Sequence, residues 1–165
     1  MSEILIENTI NDHLTGEIQK NALDFLDFMR TNELLHNAAD GTSFSYLGEE
    51  ICLMIQDDKA PISGWIIFWA DCDIDNGEHG NFCSDERLID FAQNNVNICT
   101  NFRSNGKNCG CGQQPGERRI VFGKEYYNCC SKCTLCFSNP SAESLESIKK
   151  LVEIRKHSIA EKKKK

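Results

Sequence analysis

The first third of the chain carries apolar residues at helical spacing. The stripe starts beside Thr15, a good N-cap residue, and predicts a helix that ends near Thr31 and Asn32. Its members are Leu14, Ile18, Ala22, Phe25, Leu26 and Met29. We expect the preceding residues to be irregular or to form a short edge strand over residues 4–6.

Three apolar segments then predict β-strands. Residues 43–47 and 51–55 flank a glycine-led turn at residues 48–50, a pattern typical of a hairpin. Residues 64–70 are apolar on both faces, as in a central strand or a strand that lines a pocket. The aromatic residues that could line a small-molecule pocket here, with a place in the core as the alternative, are Tyr46, Trp65, Phe68 and Trp69.

The second half adds a helix, a hairpin and a last helix. Asp85 can cap a helix that runs to about Ile98. Strands are predicted over residues 118–122 and 125–128, and Ser141 opens the last helix as its N-cap. These elements predict an α+β fold, a small antiparallel sheet packed by about three helices.

We expect a single domain over residues 1–165, a length that permits a substantial core. Within it, residues 1–98 form an acidic α+β core, residues 99–137 a cysteine-rich metal-binding hairpin, and residues 138–165 a C-terminal helix with a basic tail.

The charge of the chain is unevenly distributed. Residues 1–98 carry 19 acidic and 4 basic side chains, whereas residues 99–165 carry 6 acidic and 14 basic side chains. Either the two parts attract each other within one fold, or the basic part meets a polyanion such as a nucleic acid. The first explanation is favoured, and thiolates bound to a metal would make the second half less basic still.

Ten cysteines set this composition apart. The N-terminal residues lack the pattern of a secretory signal, and the longest apolar run, residues 65–70, is far shorter than the roughly 20 residues that span a membrane. Crowding of four cysteines into residues 129–136 suits metal ligation better than several separate disulfides. We therefore predict a cytoplasmic protein with reduced cysteines and no membrane association.

The spacing of the later cysteines predicts a closed, structural zinc site. Zinc needs four thiolate or imidazole ligands at tetrahedral corners, and two tight turns joined by a hairpin commonly supply them. Cys109-Gly110-Cys111-Gly112 is one such turn, and residues 129–136 contain two overlapping C-x2-C spacings. An iron–sulfur cluster or a thiol-redox site remains an alternative. The spacing leaves open which four ligate among Cys99, Cys109, Cys111, Cys129, Cys130, Cys133 and Cys136.

Several segments resemble an uncharacterised family of small bacterial proteins. They are Val-Phe-Gly-Lys-Glu (121–125), Asn-Cys-Cys (128–130), Phe-Ser-Asn-Pro-Ser-Ala-Glu (137–143), residues 149–156, His-Leu-Thr-Gly (13–16) and Trp65-x-Ile67-x-Trp69. The resemblance implies Cys99, Cys109, Cys111 and Cys130 as the ligands. Cys129, Cys133 and Cys136 are then alternates, and Cys133 and Cys136 depart from the family pattern. No activity is attached to this family.

The function expected from these features is a non-enzymatic zinc-binding protein with a regulatory or ligand-binding role. Its partner would be a small molecule or a protein. A zinc site with four protein ligands has no open position for water, which argues against a zinc hydrolase. A nucleic-acid-binding zinc module and a thiol-redox or metal sensor are the alternatives. The basic residues that would serve the former are Arg118, Arg119, Lys124, Lys149, Lys150 and Arg155.

Overall fold

A computed structural model describes residues 2–36, 43–57, 64–70, 74, 84–99, 116–131 and 133–164. The described part has the predicted α+β fold, with four helices and seven strands. The helices are α1 (Ser2–His13), α2 (Gly16–Thr31), α3 (Glu86–Asn94) and α4 (Ala142–Lys163). The strands are β1 (Leu35–His36), β2 (Ser43–Tyr46), β3 (Glu49–Asp57), β4 (Gly64–Trp69), β5 (Glu117–Val121), β6 (Lys124–Cys129) and β7 (Cys136–Ser138).

The chain divides into two compact units. The first comprises Met1–Phe68 and Phe137–Lys165, and the second comprises Trp69–Cys136. A sheet in the order β1-β2-β3-β4-β7 belongs mainly to the first unit, and the β5–β6 hairpin lies in the second. The pairings of β1 with β2, β2 with β3 and β5 with β6 are antiparallel. Among the described residues, no helix has both the length and the apolarity to cross a bilayer.

Residues 2–13 are helical, so the expected irregular segment or edge strand was wrong. In α1 the buried residues Ile6 and Ile10 are four positions apart, and Leu14 continues the same spacing. That period places all three on one helical face, which packs against α2. Glu7 adds an ion pair of 2.8 Å with Arg30 of α2.

The core of the first unit is formed by α2, α4 and the sheet. Phe25 and Met29 of α2 are fully buried, and so are Ile148 and Val152 of α4. The predicted helix stripe in α2 is therefore confirmed from Ala22 to Met29. Burial of such side chains contributes about 1.5–3 kcal/mol each, which makes this core the main source of stability in the first unit.

Both hairpins turn on two residues with positive φ. Leu47 and Gly48 have φ of 51° and 83°, and Phe122 and Gly123 have φ of 47° and 78°. Two successive positive φ angles are what a type I′ turn requires, and its twist matches that of the strands. Each turn therefore lies one residue earlier than its predicted position, because the residue before the glycine also adopts the left-handed conformation.

Helix α3 begins as predicted but ends earlier. Asp85 caps it by accepting a hydrogen bond of 3.1 Å from the Arg87 amide. The helix stops at Asn94, and the Asn95 side chain donates to the Phe91 carbonyl at 2.8 Å, which satisfies a C-terminal acceptor. The residues after Asn95 are extended, not helical up to Ile98.

Candidate functional site: a thiol turn

The described cysteines of the second unit lie in or beside the turn that follows the β5–β6 hairpin. We call residues 130–136, with Cys130, Cys133 and Cys136, the thiol turn. Strand β6 delivers the chain to it, because Cys129 still pairs with Glu117 across the hairpin. Cys129 is fully buried, Cys133 is 6% exposed, and Cys130 and Cys136 are half-buried.

The extended segment after α3, residues 95–99, pairs with both ends of the thiol turn. Val96 forms an antiparallel bridge with Leu135, and Ile98 forms one with Cys129. The Cys136 amide donates to the Asn95 carbonyl at 3.0 Å, and the Cys99 amide donates to the Asn128 carbonyl at 2.8 Å. One segment thus holds the strand that enters the turn and the strand that leaves it.

Asn97 lies at the centre of this arrangement and bonds to the turn three times. Its backbone amide donates to the Thr134 carbonyl and its carbonyl accepts from the Cys130 amide, both at 2.8 Å. Its side-chain Nδ2 donates to Cys133 Sγ at 2.8 Å. The two backbone bonds fix the turn, and the side-chain bond orients one of its sulfurs.

A buried guanidinium supports the turn from the hairpin side. Arg119 is 6% exposed, and its Nη2 donates to the carbonyls of Cys130 and Ser131 at 3.3 and 3.0 Å. Glu117 approaches the same guanidinium at 3.5 Å, but this carboxylate is half exposed. Arg119 Nε is buried and has no hydrogen-bond partner among the residues that the structure describes. A positive charge is therefore held within hydrogen-bond distance of the backbone at Cys130 and Ser131.

The Cys130 amide and the Cys133 sulfur both bond to Asn97, each at 2.8 Å. Burial raises the pKa of Cys133 to about 12, the Asn97 amide opposes this shift, and the neighbouring Cys130 and Cys136 add to it. A buried thiol next to other sulfurs keeps its proton near neutral pH because a thiolate there would be desolvated and repelled. A bound cation would reverse that preference, since metal ligation displaces the proton.

The predicted ligands are placed only in part. Cys109 and Cys111 lie outside the described residues. Cys99 is buried at the point where the chain leaves the described part, and Cys129 Sγ lies 3.9 Å from the Tyr127 carbonyl. The described cysteines are thiols and not disulfides. Among the described residues, no three His, Cys, Asp or Glu side chains form a group that could hold a metal ion.

Both ends of the segment between residues 99 and 116 lie beside the thiol turn. The chain leaves the described part after Cys99, whose amide bonds to Asn128, and returns at Gly116, next to the Glu117–Cys129 pair. The two anchoring points are thus adjacent residues of β6. The described part supplies two cysteines, Cys130 and Cys133, that both bond to Asn97. Cys109 and Cys111 belong to the segment that starts and ends beside the thiol turn.

The aromatic residues predicted for a pocket lie in different surroundings. Trp65 is buried with its ring 5.9 Å from that of Phe25, and Trp69 is buried as well, whereas Phe68 is half-buried. Tyr46 lines a groove of about 260 Å³ in the first unit, which is small for a drug-sized ligand. The ammonium of Lys156 lies 4.8 Å from the Tyr46 ring centroid. The other lining residues are Asn32, Glu153, His157 and Ala160.

Sequence reasoning missed Asn97 and the role of Arg119. The signal for Asn97 is the polar–apolar alternation of Asn95-Val96-Asn97-Ile98, which has the period of a strand. The helix predicted to run to Ile98 concealed it. Arg119 lies two residues before the buried Val121 in β5, and the period of a strand places both on the same, inner face.

Comparisons with family models, with curated proteins and with solved structures give no match to this chain. The resemblance to the bacterial family consequently stays a prediction, and functional conclusions have to rest on the thiol turn and the residues around it.

Proposed function

We propose that this protein is a non-enzymatic zinc-binding protein, with a regulatory or ligand-binding role, whose metal site is built on the thiol turn. The observation that carries the proposal is that Cys130 and Cys133, at C-x2-C spacing, both bond to Asn97. This spacing commonly provides two of the four corners of a tetrahedral zinc site.

Cys109 and Cys111 are the ligands proposed for the other two corners. They belong to a segment whose ends are both anchored beside Asn128 and Cys129. This set retains Cys109, Cys111 and Cys130 from the sequence-based prediction and replaces Cys99 with the alternate Cys133. Cys133 is preferred because it lies at C-x2-C spacing from Cys130 and because Asn97 orients its sulfur.

The surroundings of the turn suit a bound metal thiolate. Metal-bound sulfurs accept hydrogen bonds from outer groups that orient them, and the Asn97 amide is placed to give one. Four thiolates around Zn²⁺ leave a net charge of −2, which the buried guanidinium of Arg119 would offset. A site of four thiolates has no open position for water, so the zinc would be structural. Such thiols also fit the reducing cytoplasm, where we propose that the protein resides.

The nucleic-acid alternative has less support. Arg118 is paired with Glu125, Lys149 with both Asp24 and Glu146, and Arg119 is buried. Cations that are already neutralised or buried release few counterions on binding a phosphate backbone. The ligand-binding role is supported by the groove at Tyr46.

The test is metal analysis of the protein and two cysteine variants. The unmodified chain, purified without added metal, should contain about one zinc per molecule and should show thiolate–Co²⁺ charge-transfer absorption after cobalt exchange. Cys133→Ser should lower zinc affinity at least tenfold and weaken the thiolate absorption.

Cys52→Ala is the matched control. Cys52 is buried in β3 of the first unit, so its removal takes away a thiol without touching the turn. It should keep the full metal content. A chain that binds no zinc even when zinc is supplied, or a Cys133→Ser variant with unchanged affinity, would contradict the proposal.

A further inference from the structure

The arrangement of Cys130 and Cys133 around Asn97 has a second chemical use. Asn97 bonds to the Cys130 amide and to the Cys133 sulfur, each at 2.8 Å, and two thiols brought together at C-x2-C spacing can form a disulfide. We infer that Cys130 and Cys133 are a redox-modification site that closes into an intramolecular disulfide when a small-molecule disulfide, such as oxidised glutathione, is the oxidant. The inference rests on the proposed function only for its consequence, which is release of the metal.

The two cysteines differ in a way that sets the order of events. Cys130 is half-buried, whereas Cys133 is 6% exposed. An oxidant in solution therefore reaches Cys130 first. Its thiolate attacks one sulfur of the small disulfide, a mixed disulfide forms, and the first small thiolate leaves and takes up a proton.

Cys133 then completes the exchange. Its sulfur gives up its proton, attacks the Cys130 sulfur of the mixed disulfide and releases the second small thiolate, which is protonated in turn. Overall, the two cysteine thiols lose two electrons and two protons, and the small disulfide becomes two thiols. The Nδ2 of Asn97, 2.8 Å from Cys133 Sγ, donates to this sulfur and stabilises it as the negative charge develops.

Other described cysteines are less suited to this reaction. Cys129 and Cys52 are fully buried, so a solution disulfide cannot reach their sulfurs directly. Cys136 is half-buried, but its amide bonds to Asn95, whereas Asn97 bonds to both Cys130 and Cys133. Because both sulfurs of the pair would be consumed, a zinc ion bound through them would lose two of its four ligands and leave.

The sequence offers a direct way to observe the bond. Lys132 lies between the two cysteines, so trypsin separates residues 125–132 from residues 133–149 unless a disulfide joins them. The full chain is treated with oxidised glutathione, free thiols are alkylated, and the digest is analysed by mass spectrometry with and without reductant. Zinc is measured in the same samples before and after oxidation.

We expect the two peptides to appear joined, lighter by two hydrogen atoms than their sum, and to separate on reduction. Fragmentation should place the bond at Cys130 and Cys133. Cys136→Ser should still give the joined peptides, whereas Cys133→Ser should not. A bond that maps to Cys129 or Cys136, or the absence of joined peptides from the oxidised wild-type chain, overturns the inference.

The zinc measurement separates the two proposals. Joined peptides from a chain that never held zinc support the redox site and contradict the metal site. A chain that binds zinc but yields only alkylated Cys130 and Cys133 supports the metal site and overturns the redox inference. Because the wild-type digest decides the matter, a variant that fails to fold does not obscure the result.

Discussion

Each of the two units of this molecule is stabilised internally by a different kind of contact. Of the twelve largest fully buried side chains among the described residues, ten lie in the first unit, and only Val121 and Leu135 lie in the second. Of the six described cysteines, by contrast, only Cys52 lies in the first unit. Burial of large apolar side chains therefore stabilises mainly the first unit, whereas the second depends more on hydrogen bonds.

Those hydrogen bonds concentrate on one residue. Asn97 bonds to the thiol turn through its amide, its carbonyl and its side chain, while Arg119 holds two further carbonyls of the turn. Hydrogen bonds contribute about 0.5–1.5 kcal/mol each, less than a large buried side chain. A unit built in this way gains most from a metal ion, whose binding energy can become folding energy.

The largest expected effect of a single substitution is in the first unit. Trp65 is 1% exposed and packs on Phe25, so Trp65→Ala should lower the free energy of unfolding by about 3–5 kcal/mol. Chemical denaturation measures this change. Ile55→Ala, on the neighbouring β3 but 37% exposed, is the control and should change stability by less than about 0.5 kcal/mol.

The same variant sharpens the comparison between the units. Its folded fraction should retain the zinc content of the unmodified protein, because the substitution leaves the thiol turn intact. Loss of zinc in step with the loss of stability would show that the two units do not differ as described.

An intermediate effect is expected at Asn97. Asn97→Ala removes the bond to Cys133 Sγ and should lower the free energy of unfolding by about 1–3 kcal/mol, with zinc affinity reduced about 10–100-fold. Asn97→Asp should be at least as damaging to zinc affinity, because it places a carboxylate against the sulfur. Denaturation and a competitive metal titration give the two quantities.

Asn94→Ala is the matched control for Asn97. Asn94 is exposed at the end of α3 and only three residues away. It should leave zinc affinity unchanged. Equal losses of zinc affinity in the two variants would show that the affinity depends on the stability of α3 and not on the Asn97 amide.

The smallest effect concerns the outer face of the hairpin. Glu125 is bonded by Arg118 and by Tyr127, and these bonds hold its pKa at about 2, below its ordinary value of 4.5. Because the folded-state pKa is lowered, this contribution to stability is present above about pH 4.5 and is lost as the pH falls towards 2. The effect is small because the three side chains are exposed.

Carboxyl chemical shifts measured by NMR from pH 7 to pH 2 test this prediction. Arg118→Ala should raise the pKa of Glu125 towards its ordinary value, and Glu125→Gln should reduce the acid dependence of unfolding. A Glu125 carboxyl that titrates at its ordinary value in the unmodified protein would show that the hairpin pair does not form in solution.

Local signals in the sequence located much of the fold. Asp85 and Ser141 were predicted as helix caps, and both accept the expected amide hydrogen bonds, at 3.1 and 3.2 Å. Capping and hydrophobic period act over a few residues, so a single chain displays them. Helix α1 was missed because residues 4–6 are β-prone apolar residues, whereas its true signal is the wider spacing of Ile6 and Ile10.

The candidate site was less predictable because it depends on contacts distant in sequence. The cysteine spacing indicated a metal or redox cluster, but it could not rank Cys130 and Cys133 above the rest. That ranking comes from the contacts that Asn97 and Arg119 make with the turn. The Asn97–Cys133 bond, for example, joins residues that are 36 positions apart in the sequence. No local propensity encodes a contact between residues so far apart in the sequence.

Zinc analysis combined with hydrogen exchange tests the central claim most directly. The protein should contain about one zinc per chain. A chelator should then speed amide exchange in residues 95–99 and 128–136 while leaving α2 and α4 protected. Absence of zinc binding, or exchange in the thiol turn that is the same with and without the chelator, would contradict the claim that a metal site on this turn stabilises the second unit.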